Sequence, residues 1–262
     1  MKTWIKYGAT GLFVAVFVTG MCFLNHFSRE EDSHIVCTGL DVVFRDSLHF
    51  VSKDDIMGYL NNDYGCYLGQ QLDSVSLSGM ESILNSRSAI LKSEAWTTPD
   101  GVVHIAVTQR KPILRFMNGE RGFYVDNEGF IFPLHPDYTA PVTVISGSIP
   151  VSTPSSSFKG EAGSSEEQLW IKKMLEFNKI VLTSKLWNGK LSSISVDANG
   201  DICLKMESCS ETFIFGPPTD MEDKFGRMEK YFSHILPSVG ADHYKTVNVK
   251  YKGQIICRTT DI

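Results

Sequence analysis

The chain has no excess of positive charge: 25 Lys and Arg stand against 30 Asp and Glu, a formal net charge of -5 over 262 residues. Binding nucleic acid by neutralising phosphates needs clustered basic residues, so that class is excluded. There is no Cys-x-x-Cys and no His-Glu-x-x-His, and the seven histidines, His104 and His135 among them, are scattered without metal-ligand spacing. No metal, cofactor or small-molecule substrate is expected. The six cysteines do not read as a disulfide framework either, because Cys22 lies in an apolar run and Cys37, Cys66, Cys203, Cys209 and Cys257 cannot all pair. Structural or free thiols are expected, with a Cys203 to Cys209 bridge across a hairpin as the alternative.

One stretch lacks charge altogether. Gly8 to Phe27, "GATGLFVAVFVTGMCFLNHF", is 20 residues without a formal charge, and as a helix it would extend about 30 Å, enough for a bilayer core. Lys2 and Lys6 precede it and Arg29-Glu30-Glu31-Asp32 follow. The basic flank predicts a cytoplasmic start over residues 1–7, an anchor over 8–27 and the remainder outside the cytoplasm. A cleaved signal peptide shares this pattern, but no Ala-x-Ala-like site follows, and the large Met21 before Cys22 argues against a lipoprotein signal. An uncleaved anchor is the expectation.

What the sequence does have is strand and helix signals in a definite order. His34 to Phe44 is rich in β-branched and aromatic residues, as in a strand. Ser52 with Asp55 forms a capping box ahead of Ile56, Tyr59 and Leu60, and a second helix is expected from Ser78, with Glu81 at its capping-box position. Ala89 to Trp96 and Val102 to Arg110, joined through Pro99-Asp100-Gly101, read as a hairpin in which Val103, Ile105 and Val107 share a face. Strand, helix, helix, strand, strand predicts a small two-layer α+β unit over residues 34–110.

Residues 111–262 read as a mainly β domain with two helices. Extended runs are expected at Ile113 to Asn118, Gly122 to Asp126, Gly129 to Pro133 and Val142 to Ser146, then a polar surface loop from Pro150 to Glu167. A helix from about Glu166 carries Trp170, Met174, Phe177 and Val181 as its core side. Three strands follow, at Leu191 to Asp197, Asp201 to Glu207 and Glu211 to Phe215, with Asn199-Gly200 as a two-residue hairpin turn. The last helix presents Met221, Phe225, Met228, Phe232 and Ile235 as a packing stripe, leaving Glu222, Asp223, Lys224 and Glu229 largely outside it. Two extended runs around Lys252-Gly253 close the chain.

This order, together with "VTQRKPI", "YVDNEGFIF", "DMEDKFGRMEKYF" and "YKTVNVKYKGQIICR", resembles the bacterial cell-division family FtsQ, also called DivIB. The resemblance implies an α+β fold made of one anchor, a POTRA-like domain and a β domain on the outer, periplasmic side of the cytoplasmic membrane. It implies a non-enzymatic divisome scaffold at the septum, with FtsB-like and FtsL-like partners. In the family the last strands take up FtsB by β-strand addition, and the matching stretch offers Tyr251, Gly253, Ile255, Cys257 and Arg258 as partner-binding residues. This chain departs from better-known members in lacking a tryptophan near the end and a tail after the final strand.

The Asp126-Asn127-Glu128-Gly129 stretch invites a catalytic reading, but no second acid, serine, cysteine or histidine stands at a recognisable spacing, so a corner between strands is expected. Arg110 and Pro112 mark the junction of the two units. Two rival functions compete with the scaffold. A POTRA-type export or outer-membrane assembly module usually strings several such units before a barrel, and one unit is read here. An anchored cell-wall hydrolase would have to use acids such as Glu161 and Glu166, which fall in the polar loop.

Overall fold

The computed structural model of the chain describes residues 16–21, 35–152 and 160–259. Most of the expected anchor therefore lies outside the described residues. Among those described, no helix is long and apolar enough to cross a membrane. The chain divides into two compact units, with the break between Gln109 and Arg110.

The first unit begins with β1 (Gly39–Phe44), shorter than its apolar run because Val36 makes only an isolated bridge to Gln71. Helix α1 (Lys53–Asp63) starts where the sequence placed it. The Ser52 hydroxyl accepts from the Asp55 N–H at 3.1 Å and the Asp55 carboxylate accepts from the Ser52 N–H at 2.8 Å, so two otherwise orphaned donors are satisfied. Helix α2 (Leu77–Asn85) starts two residues earlier than expected: Ser76 is its cap, accepting from the Gly79 N–H at 3.1 Å. Glu81 is not part of a capping box; its carboxylate accepts from the Ala95 backbone N–H at 2.6 Å.

Strands β2 (Ile90–Thr97) and β3 (Val102–Gln109) form the expected hairpin, and the sheet order is β1-β3-β2 with β1 parallel to β3. A parallel pair needs a crossover, which α1 and α2 supply on one face. There Ile56, Leu60, Met80 and Leu84 pack with Val42, Val103, Ile105 and Val107, all buried. The buried Gln109 side chain ties the β1–α1 loop down, accepting from the Val51 N–H at 2.9 Å and donating to Asp46 at 2.8 Å and to the Leu48 carbonyl at 2.6 Å.

The second unit holds β4 (Leu114–Asn118), β5 (Arg121–Val125), β6 (Ile131–Pro133), β7 (Thr143–Gly147), α3 (Ser165–Thr183), β8 (Leu191–Val196), β9 (Ile202–Met206) and β10 (Thr212–Gly216). It ends with α4 (Met221–Lys230), a π-type turn (Tyr231–Ile235), α5 (Leu236–Val239), β11 (Thr246–Asn248) and β12 (Ile256–Arg258). Its strands form one sheet in the order β12-β11-β10-β9-β8-β7-β4-β5-β6. Met174, Phe177 and Val181 of α3 and Phe225 and Met228 of α4 are buried as expected, and Trp170, Met221, Phe232 and Ile235 pack partly buried against the same core. Phe177, Phe215 and Phe225 meet ring to ring, with centroids 4.9 to 5.5 Å apart.

Two expectations need correction here. Lys224 and Arg227 are buried, although a helical wheel places Lys224 on the solvent side; the reason is that each long side chain finds a carbonyl partner in the fold. The loop after β7 is only partly a surface segment, since Val151 and Ala162 are buried and Gly160 bridges to Ile131, while 153–159 lies outside the described residues.

Candidate partner-binding edge

Asp126 is the first candidate to resolve. Its backbone N–H donates to the Phe130 carbonyl at 3.1 Å, and one carboxylate oxygen accepts from the N–H groups of Glu128 and Phe130, both at 2.9 Å. The other oxygen pairs with Arg110, whose guanidinium lies 3.6 Å from the Phe130 ring centroid. Gly129, at φ 88°, supplies the left-handed step that closes the loop. The corner at Asp197 repeats this build: its carboxylate accepts from Asn199 at 2.8 Å and Asp201 at 2.9 Å, and Gly200 stands at φ 79°. The Asn199-Gly200 connection is thus a three-residue loop rather than a two-residue turn, because Asp197 N–H closes onto the Asp201 carbonyl at 2.9 Å. The carboxylate of Asp126 is committed to backbone and arginine, which is a structural employment. Glu166 lies exposed in the first turn of α3 and Glu161 is exposed ahead of it.

The second candidate is the closing hairpin. β11 runs parallel to β10, and β12 pairs antiparallel with β11, setting Val247 opposite Cys257 and Asn248 opposite Ile256. β12 is therefore the end strand of the sheet, and among the described residues no strand lies beyond it. Side chains alternate along it as strand geometry requires: Ile255 and Cys257 pack toward the core, while Ile256 and Arg258 are exposed. Tyr251 sits in the turn with half its surface open to solvent. Gly253, exposed at φ 71°, permits the turn, in which the Gln254 N–H reaches the Tyr251 carbonyl at 3.3 Å. The five residues expected here thus fall on one short hairpin: Tyr251 and Gly253 in its turn, Ile255 just ahead of the edge strand, and Cys257 and Arg258 within it.

Several groups hold this margin in place, none of them expected from the sequence. Arg227 donates twice to the Val249 carbonyl and once to Asp223. Lys250 reaches both oxygens of Asp201 at 2.8 Å, and that hydrogen-bonded pairing raises its pKa above the ordinary lysine value. Its stem lies over Gly216, at φ 81°, where a Cβ would come within 2.7 Å of the lysine chain. Lys224 donates to the Pro217 carbonyl at 2.6 Å, and burial lowers its pKa. Beneath the hairpin the fully buried Glu211 accepts from the Tyr231 hydroxyl and the Asp242 N–H, each at 3.1 Å. Burial, and then Glu211, push the Tyr231 phenol up and the Cys209 thiol up to about 12. Cys257 is raised by burial and by the same carboxylate. All five described cysteines carry free thiols, Cys203 and Cys209 included.

Residues 35–108 match a POTRA-like domain, so the class is a POTRA-like α+β unit followed by a large β domain. Residues 111–258, more than half of the chain, match the family described as FtsQ/DivIB, C-terminal related, and the protein belongs to that family, whose members serve cell division as non-enzymatic scaffolds. No curated protein sequence matches it.

Proposed function

We propose that the protein is a single-pass scaffold of the divisome, with its N-terminus in the cytoplasm and its two folded units in the periplasm at the septum, and that it holds FtsB-like and FtsL-like partners by adding a partner strand to β12. The observation that carries this reading is the position of β12 at the end of the sheet with no described strand beyond it. An end strand offers a row of backbone N–H and C=O groups, and an extended segment can take them up while side chains such as Tyr251 and Arg258 select which segment fits. Anchoring in the same membrane as the partners raises their effective concentration, so a short pairing suffices. Depletion tests the role: cells should grow as filaments, and a fluorescent fusion should gather at mid-cell. Normal division after depletion, or a pull-down enriched in outer-membrane precursors instead of division proteins, would remove the proposal.

A further inference from the structure

The first unit has its own open edge, and its two margins are built differently. Along the outer side of β2, helix α2 spends two side chains on backbone donors: Asn85 Oδ1 accepts from the Ser93 N–H at 2.7 Å, and Glu81 accepts from the Ala95 N–H at 2.6 Å. The Ser93 hydroxyl joins the same amide oxygen at 2.9 Å. Two outward donors of that margin are thereby taken, so an added strand would have to displace them. β1, at the other end of the sheet, pairs only with β3 among the described residues.

The side chains along β1 say which strand fits. Asp41, Val43 and Arg45 alternate onto the face away from the helices, as the pairings of Asp41 with His104 and of Val43 with Ala106 require. Each is about half exposed: 49% for the Asp41 side chain, 47% for Val43, 50% for the Arg45 side chain. Asp41 lies 3.4 Å from His104 and 3.9 Å from Lys53, and Arg45 pairs with Glu94. In an antiparallel pair, residues directly opposite each other share a face, so a second copy of β1 can align only in registers that set odd positions against odd ones. Centring on Asp41 sets Asp41 against its own copy, centring on Arg45 sets two arginines together, and centring on Val42 or Phe44 sets Val43 against a charged side chain. Centring on Val43 sets valine against valine and places Asp41 opposite Arg45 on both sides. The inner face then brings Val42 opposite Phe44.

We propose that the POTRA-like unit self-associates through β1, two copies pairing antiparallel about Val43 with reciprocal Asp41 to Arg45 contacts, so that two three-stranded sheets become one. The pairing is isologous, with one patch serving both partners. It spans about five residues from each chain, which places it among weak, transient contacts. It does not depend on the reading of β12, which belongs to the other unit.

The test is a charge-reversal cycle on the full chain in detergent, read by sedimentation over graded concentrations. Asp41→Arg and Arg45→Asp, made singly, set like charges opposite each other twice per dimer and should weaken association by about five-fold or more. The double variant Asp41→Arg/Arg45→Asp should restore it, and thermal melts check that each variant is folded. In a Cys66→Ser background, Val43→Cys should give an oxidised dimer band above the parent's, and Asp41→Cys should not. A wild-type chain that stays monomeric to about millimolar concentration, or a dimer indifferent to the reversals, overturns the proposal. So does a crosslink stronger at position 41 than at 43.

Discussion

Arg227 on α4 places two of its nitrogens on one acceptor: Nε at 3.0 Å and Nη2 at 2.7 Å from the carbonyl oxygen of Val249, while Nη1 pairs with Asp223. Val249 is the last buried residue before the turn that leads into β12, so this contact fixes where the closing hairpin leaves the core. Replacing Arg227 with Ala strands a buried carbonyl and removes a packed stem. The expected loss is about 2–4 kcal/mol of unfolding free energy. Urea titration measures it, and hydrogen exchange should accelerate over 246–258 more than over the far end of the sheet. Arg227→Lys should recover only part of the loss, because an ammonium cannot reproduce the two-nitrogen fork.

The same arginine shows where sequence reading stops. Local signals were legible: the Ser52 and Asp55 box, the β2–β3 hairpin, the stripe through Phe225 and Met228, and the corner at Asp126 all depend on residues close together in the chain. Arg227 and Lys224 were not, because their partners, Val249 and Pro217, are specified by the fold rather than by helical phase. Glu81 carried a genuine capping pattern, yet the Ala95 N–H offered it a better use. The parallel pairings of β4 with β7, β7 with β8 and β10 with β11 join strands distant in sequence, and periodicity alone cannot order them. The margin residues Tyr251 to Arg258 came from family resemblance, and their placement at an end of the sheet could be known only once the strands were ordered.

Asp126 and Arg110 form a nearly dry ion pair, the two side chains being 4% and 10% exposed. Breaking one side of such a pair leaves a buried charge and frees two backbone donors. Asp126→Ala is expected to cost about 3–5 kcal/mol, and Asp126→Asn less, since the amide oxygen can still accept from Glu128 and Phe130. Denaturant titration separates the two. If Asp126→Ala left stability untouched, the corner assignment would fail.

The cluster around Glu211 gives a pH dependence with a definite sign. Cys209 has a thiol pushed from 9.0 to about 12 by burial, and then by Glu211, so the folded chain holds a proton that the unfolded chain releases. A raised folded pKa contributes stability that is full below the unfolded value and is lost as pH rises through the folded one. Stability should therefore fall between about pH 9 and 12. Burial raises the Cys203 and Cys257 thiols as well, so Cys209→Ala should flatten this slope without abolishing it. Denaturation midpoints over that range, under reducing conditions, make the comparison.

Tyr251 separates binding from folding. Half of its surface is open, it sits outside the buried core, and its neighbour Lys250 is the residue that ties the turn to Asp201. Tyr251→Ala should leave the unfolding free energy within about 0.5 kcal/mol of the parent. An exposed aromatic beside an open strand is nonetheless the kind of anchor on which strand addition depends, and its loss should weaken capture of an FtsB-like segment by about ten-fold or more. Lys250→Ala is the informative contrast: it removes the contact with Asp201 while leaving Tyr251 in the chain, so it should cost stability first and affinity through the looser turn. Titration calorimetry with a synthetic FtsB-like segment reads the affinities, and urea unfolding reads the stabilities. Equal affinity for parent and Tyr251→Ala would take Tyr251 out of the interface, and equal affinity for Cys257→Pro, which removes a backbone donor on the open side of β12, would take the edge out as well.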